Sequence, residues 1–272
     1  MSTIGEKIKD ELTEMKGKIK DFVIRLGVDD VGIAAVSSYN SPKSTKMESI
    51  FPEAKSMIVL AYKETSNCDS PNRQIATNGR LDLIRFSQTC NYRLARFIER
   101  EYDARAMTVP YSFPIDMSKG GIAEVSLRHA AVAAGLGTFG RHNLVIHPKH
   151  GARMIFSAVL SDLDLPADSP VKEDLCNHCN FCVESCPVGA LDEEGKTDIG
   201  KCSPYIQPHG LRGTISFWQK FVNSPPREQK ELFMDNSFWE LWQAGIVQYM
   251  YVCFNCRNSC PIGQSRRYTA KS

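Results

Sequence analysis

Apolar residues recur every three or four positions from Met1 to Gly27, where Ile4, Ile8, Leu12, Met15, Ile19 and Phe22 form one stripe and predict an amphipathic helix. The period then changes. Val28 to Val36 and Ser56 to Tyr62 are short β-branched runs bounded by Asp, Gly, Pro and Ser, and both predict strands. The connection between them is polar and punctuated by proline. From Leu81 to Tyr102 the positions of Leu83, Phe86, Leu94, Phe97 and Ile98 restore helical spacing, and Arg105 to Tyr111 predicts a third strand. Glu124 to Gly137 is alanine-rich and apolar nearly all round, which predicts a buried helix ended by glycine. LVIHP and ARMIFSAVLSDL follow as two strands joined by the polar PKHG turn.

Helices and strands therefore mix up to about Leu165, and DLPADSPVKED reads as a boundary. The expected class is α+β, with a mixed α/β domain over residues 1–165, the catalytic candidate, and a cysteine-bearing module over residues 166–272. A length of 272 residues suffices for one large domain or two modest ones. There is no apolar run of about 18 residues, no small-residue cleavage site and no twin-arginine leader, so a cytoplasmic protein that does not span a membrane is expected. The balance of 33 basic and 31 acidic residues gives no bulk electrostatic attraction to nucleic acid or an anionic surface.

The chemistry lies in the cysteines. Eight of the ten fall in the C-terminal part: Cys176-x2-Cys179-x2-Cys182-x3-Cys186-Pro187, then Cys202 alone, then Cys253-x2-Cys256-x3-Cys260-Pro261. A CxxCxxC turn wraps three thiolates around one cubane, and the cysteine before proline reaches the other cluster. Two 4Fe-4S clusters follow, one on Cys176, Cys179, Cys182 and Cys260, the other on Cys186, Cys253 and Cys256, with Cys202 the candidate for its vacant position. Structural zinc favours separated CxxC pairs and disulfides belong to small secreted chains, so neither accounts for this spacing. For Cys202 the alternative is a buried free thiol. Arg227 to Gly245, with Leu232, Phe233, Phe238, Leu241 and Trp242, predicts a helix between the arrays that shields a cluster.

Gly135-Leu-Gly137-Thr-Phe-Gly140 satisfies GxGxxG, yet a dinucleotide fingerprint follows a strand and opens a helix, and here the order is reversed. The glycines either cap the helix or let backbone approach something large and flat. Cys90 sits in a helical pattern and is expected in the core, whereas Cys68, in a polar loop, is expected to be exposed. Phe217, Trp218, Phe221, Trp239 and Trp242 could stack a base, but at helical spacing they read first as module core.

Taken together, VGIA (31–34), FPEAKSMIVLAY, AAGLGTFGRHNLVIHPKHGAR, SDLDL, the CxxCxxCxxxCP array, KCSPY around Cys202 and CFNCRNSCP resemble the iron-sulfur, cobalamin-dependent reductases that include epoxyqueuosine reductase and, more distantly, the reductive dehalogenases. The resemblance covers most of the chain. It implies a nitroreductase-like, corrinoid-binding N-terminal domain before a two-cluster ferredoxin-like module, crossed cluster ligation that includes Cys202, and a corrinoid pocket lined by Gly135, Gly137, Gly140, Arg141, His142 and Asn143. It also implies an electron donor of flavodoxin or ferredoxin type, a base-off cobalamin, and a small molecule or modified nucleoside as substrate. Two departures stand out. The chain ends twelve residues after Cys260, without the helical-repeat region that helps epoxyqueuosine reductases hold tRNA, so a tRNA substrate is doubtful. Where the family often has GKN, this sequence has Gly140-Arg141-His142-Asn143, one residue longer. Asp116 is the nearest match to the family's proton-donating aspartate, and Tyr111, His129 and His142 are alternative donors, although a loop aspartate also serves as a turn residue and a histidine on an apolar helix as a satisfied core residue. A cobalamin-free iron-sulfur oxidoreductase and a non-enzymatic electron-transfer or assembly partner are the alternatives.

Overall fold

A computed structural model of the chain describes residues 4–111, 115–116, 122–191, 195–247 and 253–263. Helix α1 (Ile4–Arg25) uses only the second half of its apolar stripe, because Ile19 and Val23 are fully covered while Ile8 remains 52% exposed. Strand β1 (Asp30–Ala35), short helix α2 (Met47–Ile50) and strand β2 (Ser56–Lys63) follow. Helix α3 (Arg73–Tyr102) begins earlier than its apolar spacing predicts, because the Asn72 side chain accepts from the Gln74 and Ile75 amides and caps a polar first turn. After β3 (Ala106–Val109) come the two-residue strands β4 (Ile115–Asp116) and β5 (Ile122–Ala123), helix α4 (Leu127–Ala133), strands β6 (Thr138–Phe139) and β7 (Val145–Ile146), and strand β8 (Met154–Ser161).

The main sheet has the order β1-β2-β8-β3 and is antiparallel throughout. Its central strands are nevertheless apolar at consecutive positions, since helices cover both faces. Ile58, Leu60, Tyr62, Ile155 and Val159 point toward α1 and α3, where Cys90, Leu94 and Ile98 meet them, while Met57, Val59, Ala61, Ala158 and Leu160 join Ala130, Ala131 and Ala134 of the α4 region. The two alternating sets are the period-2 pattern read twice. At Gly32 a Cβ would stand 2.1 Å from the Ala134 carbonyl oxygen, so glycine lets the end of α4 lie directly on β1.

Two expectations change in this part of the chain. LVIHP and ARMIFSAVLSDL do not form a hairpin: β7 pairs with β6, the intervening turn closes through reciprocal His147–Gly151 backbone bonds, and β8 goes to the centre of the main sheet, where all eight of its residues are buried. Cys68 is fully buried, because its turn, Ser66–Asp69, packs on α3 at Gly79 and its carbonyl accepts from Arg257. Cys90 is in the core as expected, next to the Tyr62 hydroxyl.

The boundary segment is tied down. Asp168 exchanges bonds with Ile33, its amide donating to the carbonyl and its carboxylate accepting from the amide, and it pairs with Lys16 and Lys20. Beyond it lie α5 (Phe181–Glu184), α6 (Ile199–Ile206), α7 (Leu211–Asn223), α8 (Pro226–Met234), α9 (Asn236–Val247) and α10 (Asn255–Ser259). The helix expected over Arg227 to Gly245 is thus two helices, broken where the Asp235 carboxylate accepts from the Ser237 amide. Phe217 is buried in this bundle, but Trp218, Trp239 and Trp242 are about half exposed, so the aromatic group is core only in part. The module docks through backbone: a Cβ at Gly151 would meet the Ile262 carbonyl oxygen at 1.8 Å.

Candidate functional site

Between Cys176 and Cys182, His178 and Asn180 adopt left-handed φ of 52° and 63°, and this curls the segment so that three thiols face one cleft. The Asp174 carboxylate fixes its entry by accepting from the Cys176 amide at 2.9 Å and pairing with His178 Nε2. The fourth thiol lining that cleft is Cys260, delivered by the end of α10. A second set forms on the other side: Cys186 follows α5, Cys202 is carried by α6, and Cys253 and Cys256 flank the start of α10. All four line one cavity. Ser185 Oγ lies 2.9 Å from Ser259 Oγ and locks the two arrays together.

The electrostatics of the thiols follow the same division. Burial, then Cys176 and Cys260, pushes Cys182 up; burial, then Cys179 and Cys176, does so for Cys260. Burial, then Cys186 and Cys253, raises Cys202, and Cys256 is pushed up to about 12 by burial and by Cys253, Cys202, Cys182 and Cys186. The appearance of Cys182 in that last group means that the two sets adjoin. Thiols packed this way resist ionising by themselves, whereas bound cationic iron deprotonates them outright, so the donor set fits iron-sulfur chemistry. Among the described residues no three His, Cys, Asp or Glu side chains converge as ligands of a single ion. Thiolates around a cubane each bind a different iron and so surround a volume rather than a point.

The cavity beside the second set measures about 420 Å³, within the range of roughly 300–1,000 Å³ typical of small-molecule sites. From the segment after α4, His142, Asn143, Leu144 and Val145 line it, and Arg141 lines the cleft of the first set. The three glycines stand elsewhere. Gly135, at φ 74°, closes α4, its amide donating to Val132 and the Leu136 amide to Ala131, and a Cβ at Gly137 would meet the Ile146 carbonyl oxygen at 2.1 Å. Gly140 packs against the His142 ring and Ile146. The extra residue of GRHN is accommodated in the β6–β7 turn, where Asn143 takes a left-handed φ of 56°.

His142 is 4% exposed and burial depresses it to about 4. Its Nδ1 accepts from the Leu144 amide, so the neutral ring carries its proton on Nε2, which is buried without a hydrogen-bond partner among the described residues. Tyr111 lines the cavity; Asp116 lies on β4 opposite Ile122, and its side chain is outside the described residues. His129 is satisfied, with Nδ1 2.7 Å from Ser126 Oγ and its ring against Phe139, the bland outcome for a helix histidine.

Sequence reasoning missed the arginines. Arg257 is 2% exposed; it pairs with Glu64 at 2.9 Å and Asp69 at 3.0 Å and donates to the Cys68 carbonyl. Arg80 holds the other Glu64 oxygen, and Phe254, between two cysteines, receives both guanidinium groups on its ring at 5.3 and 5.2 Å. The signal available was a charged residue inside a compact cysteine array. Arg128, on α4, lines the cavity and donates to the Asn143 carbonyl.

Residues 170–192 match the 4Fe-4S binding domain model, so the chain carries an iron-sulfur module beside a helix-and-sheet domain. It resembles epoxyqueuosine reductases: 31% identity over 150 residues to that of Shewanella oneidensis, covering 55% of this chain and 32% of the relative, and 20% over 287 residues to that of Bacillus subtilis, covering 94% and 65%. The chain therefore spans from about a third to about two thirds of the length of these relatives. A selenomethionine-labelled epoxyqueuosine reductase shares the fold at TM-score 0.63 and 17% identity over 94% of this chain and 68% of that one. A second, holding an epoxyqueuosine-modified tRNA stem loop, does so at 0.59 and 16% over 94% and 67%. A reductive dehalogenase described with a mechanism for B12-dependent dehalogenation aligns at 0.56 and 21% over 69% and 28%. Among the described residues no helix is long and apolar enough to cross a membrane.

Proposed function

We propose that the chain is a cytoplasmic iron-sulfur reductase with two 4Fe-4S clusters, one on Cys176, Cys179, Cys182 and Cys260 and one on Cys186, Cys202, Cys253 and Cys256, and that the cavity beside the second set is its reaction chamber. The observation that carries this is the sorting of eight cysteines into two adjoining sets of four, with the second forming part of the cavity wall. A corrinoid in the cavity is supported by the resemblance of the glycine segment, by the B12-dependent neighbour, and by the neutral His142 ring in the cavity wall, whose buried Nε2–H has no hydrogen-bond partner among the described residues. When bound, clusters and corrinoid supply one-electron transfer and a strongly nucleophilic reduced metal. The chain's residues gather the two cysteine sets and set the His142 ring in the cavity wall, and Tyr111 and Asp116 are assigned the movement of a proton to substrate. The N-terminal domain, residues 1–165, is taken as nitroreductase-like, residues 166–272 as the ferredoxin-like module, and the electron donor as a flavodoxin or ferredoxin. The substrate is a small molecule or modified nucleoside; the tRNA-bound neighbour keeps a nucleoside within tRNA as a class to assay, against a net charge of only +2.

A cobalamin-free oxidoreductase on the same scaffold is favoured by one observation, the use of Gly135, Gly137 and Gly140 for the chain's own packing. Anaerobic purification with iron and sulfide analysis, followed by EPR with and without cobalamin, separates the readings. About eight irons with a base-off Co(II) signal is the expected result; eight irons without corrinoid uptake retains the oxidoreductase and discards the corrinoid, and about four irons removes the two-cluster assignment.

A further inference from the structure

The described lining of the cavity contains Arg80, Arg128 and Arg257 but no aspartate or glutamate. Arg80 pairs with Glu64, and Arg257 with Glu64 and Asp69. Arg128 differs: among the described residues its guanidinium makes no ion pair and donates to the Asn143 carbonyl, with the Tyr111 phenol nearby. Burial pushes it below the ordinary arginine value. Arg128 is half-buried, and a guanidinium partly withdrawn from water with no described carboxylate beside it is a charge that a ligand oxyanion can compensate. Around it the wall mixes apolar Val125, Leu127, Leu144, Val145 and Phe156 with polar Tyr111, Ser126 and Asn143. His142 adds a buried donor with no acceptor among the described residues.

We propose that Arg128 anchors an oxyanion, the carboxylate or phosphate of the ligand, inside this cavity. The inference rests on reading the cavity as the reaction chamber and deepens it by giving the ligand an anionic head. A planar guanidinium meets either oxyanion with two parallel hydrogen bonds, which orients the rest of the ligand toward the second cysteine set. The oxyanion has two sources, a substrate or the phosphate of a nucleotide-bearing corrinoid.

The test uses the full chain, reconstituted anaerobically with iron and sulfide, titrated calorimetrically with benzoate, phenyl phosphate and the uncharged benzyl alcohol. Saturable binding of either anion, weakened about tenfold or more in Arg128→Gln and largely kept in Arg128→Lys, with benzyl alcohol weak throughout, is the expected result. Repeating the titration after loading cobalamin, or cobinamide, which lacks the phosphate, tells the sources apart. Anion binding that survives both loadings assigns Arg128 to substrate; loss with cobalamin alone assigns it to the cofactor's phosphate. Equal anion affinity in wild type and Arg128→Gln overturns the proposal, as does benzyl alcohol binding as tightly as benzoate. So does a variant whose only change is a shifted cluster potential, which would make Arg128 a counter-charge to the iron-sulfur centre. Arg128-dependent anion binding in a protein that takes up no corrinoid would sink the corrinoid reading and leave this one standing.

Discussion

Replacing Arg257 with glutamine should loosen the docking of the cysteine module on the N-terminal domain, and the structure sets the scale. The guanidinium pairs with Glu64, whose side chain is wholly buried, and with the half-exposed Asp69, and it donates to the Cys68 carbonyl. Breaking a buried pair from one side costs about 3–5 kcal/mol. Arg80 still faces Glu64 in the variant, so the carboxylate is not fully orphaned and the lower end, about 3 kcal/mol, applies. At roughly 2–4 °C per kcal/mol for a chain of this size, the melting midpoint should fall by roughly 6–12 °C. The assay is anaerobic thermal unfolding of Arg257→Gln, Glu64→Gln and the double variant at matched iron content. The double variant should recover about 1–2 kcal/mol relative to the sum of the singles, because removing both charges leaves neither uncompensated. A fall below about 2 °C, or strict additivity, would refute the reasoning, since the ion pair would then be holding nothing in place.

Cys202→Ala should reduce iron from about eight to about four per chain, and unchanged iron would remove Cys202 from the ligand set. Burial holds His142 neutral and depressed to about 4, below its unfolded value of about 6.5, so the unfolded chain binds more protons in that window. Stability should therefore fall as pH drops from about 6.5 to about 4, by up to about 3 kcal/mol, and His142→Gln should flatten that slope; an identical slope in the variant would contradict the assignment. Gly137→Ala should destabilise by at least about 2 kcal/mol, because its φ of 153° and the Ile146 carbonyl leave no room for a methyl group; denaturation near the wild-type midpoint would count against this packing. Asp116→Asn should abolish turnover while sparing cofactor uptake, and wild-type turnover would retire it as a proton donor.

That Cys176, Cys179, Cys182 and Cys260 line one cleft and Cys186, Cys202, Cys253 and Cys256 another cavity accords with local spacing: a CxxCxxC segment can curl around one centre, and a cysteine before proline points away from it. Helices α1 and α3 and strands β1, β2, β3 and β8 announced themselves by period, and the glycine cap of α4 by composition. Tertiary structure alone decided the rest. Period could not tell that β7 leaves β8 for β6, since a strand's partner is set by which faces the helices cover. A polar sequence around Cys68 looked exposed until Arg257, 189 positions away, covered it. Nor does spacing reveal that Glu64, Arg80 and Arg257 meet, or that Arg128 lines the cavity with no carboxylate among its described residues, because long-range charge pairing leaves no periodic trace in a chain.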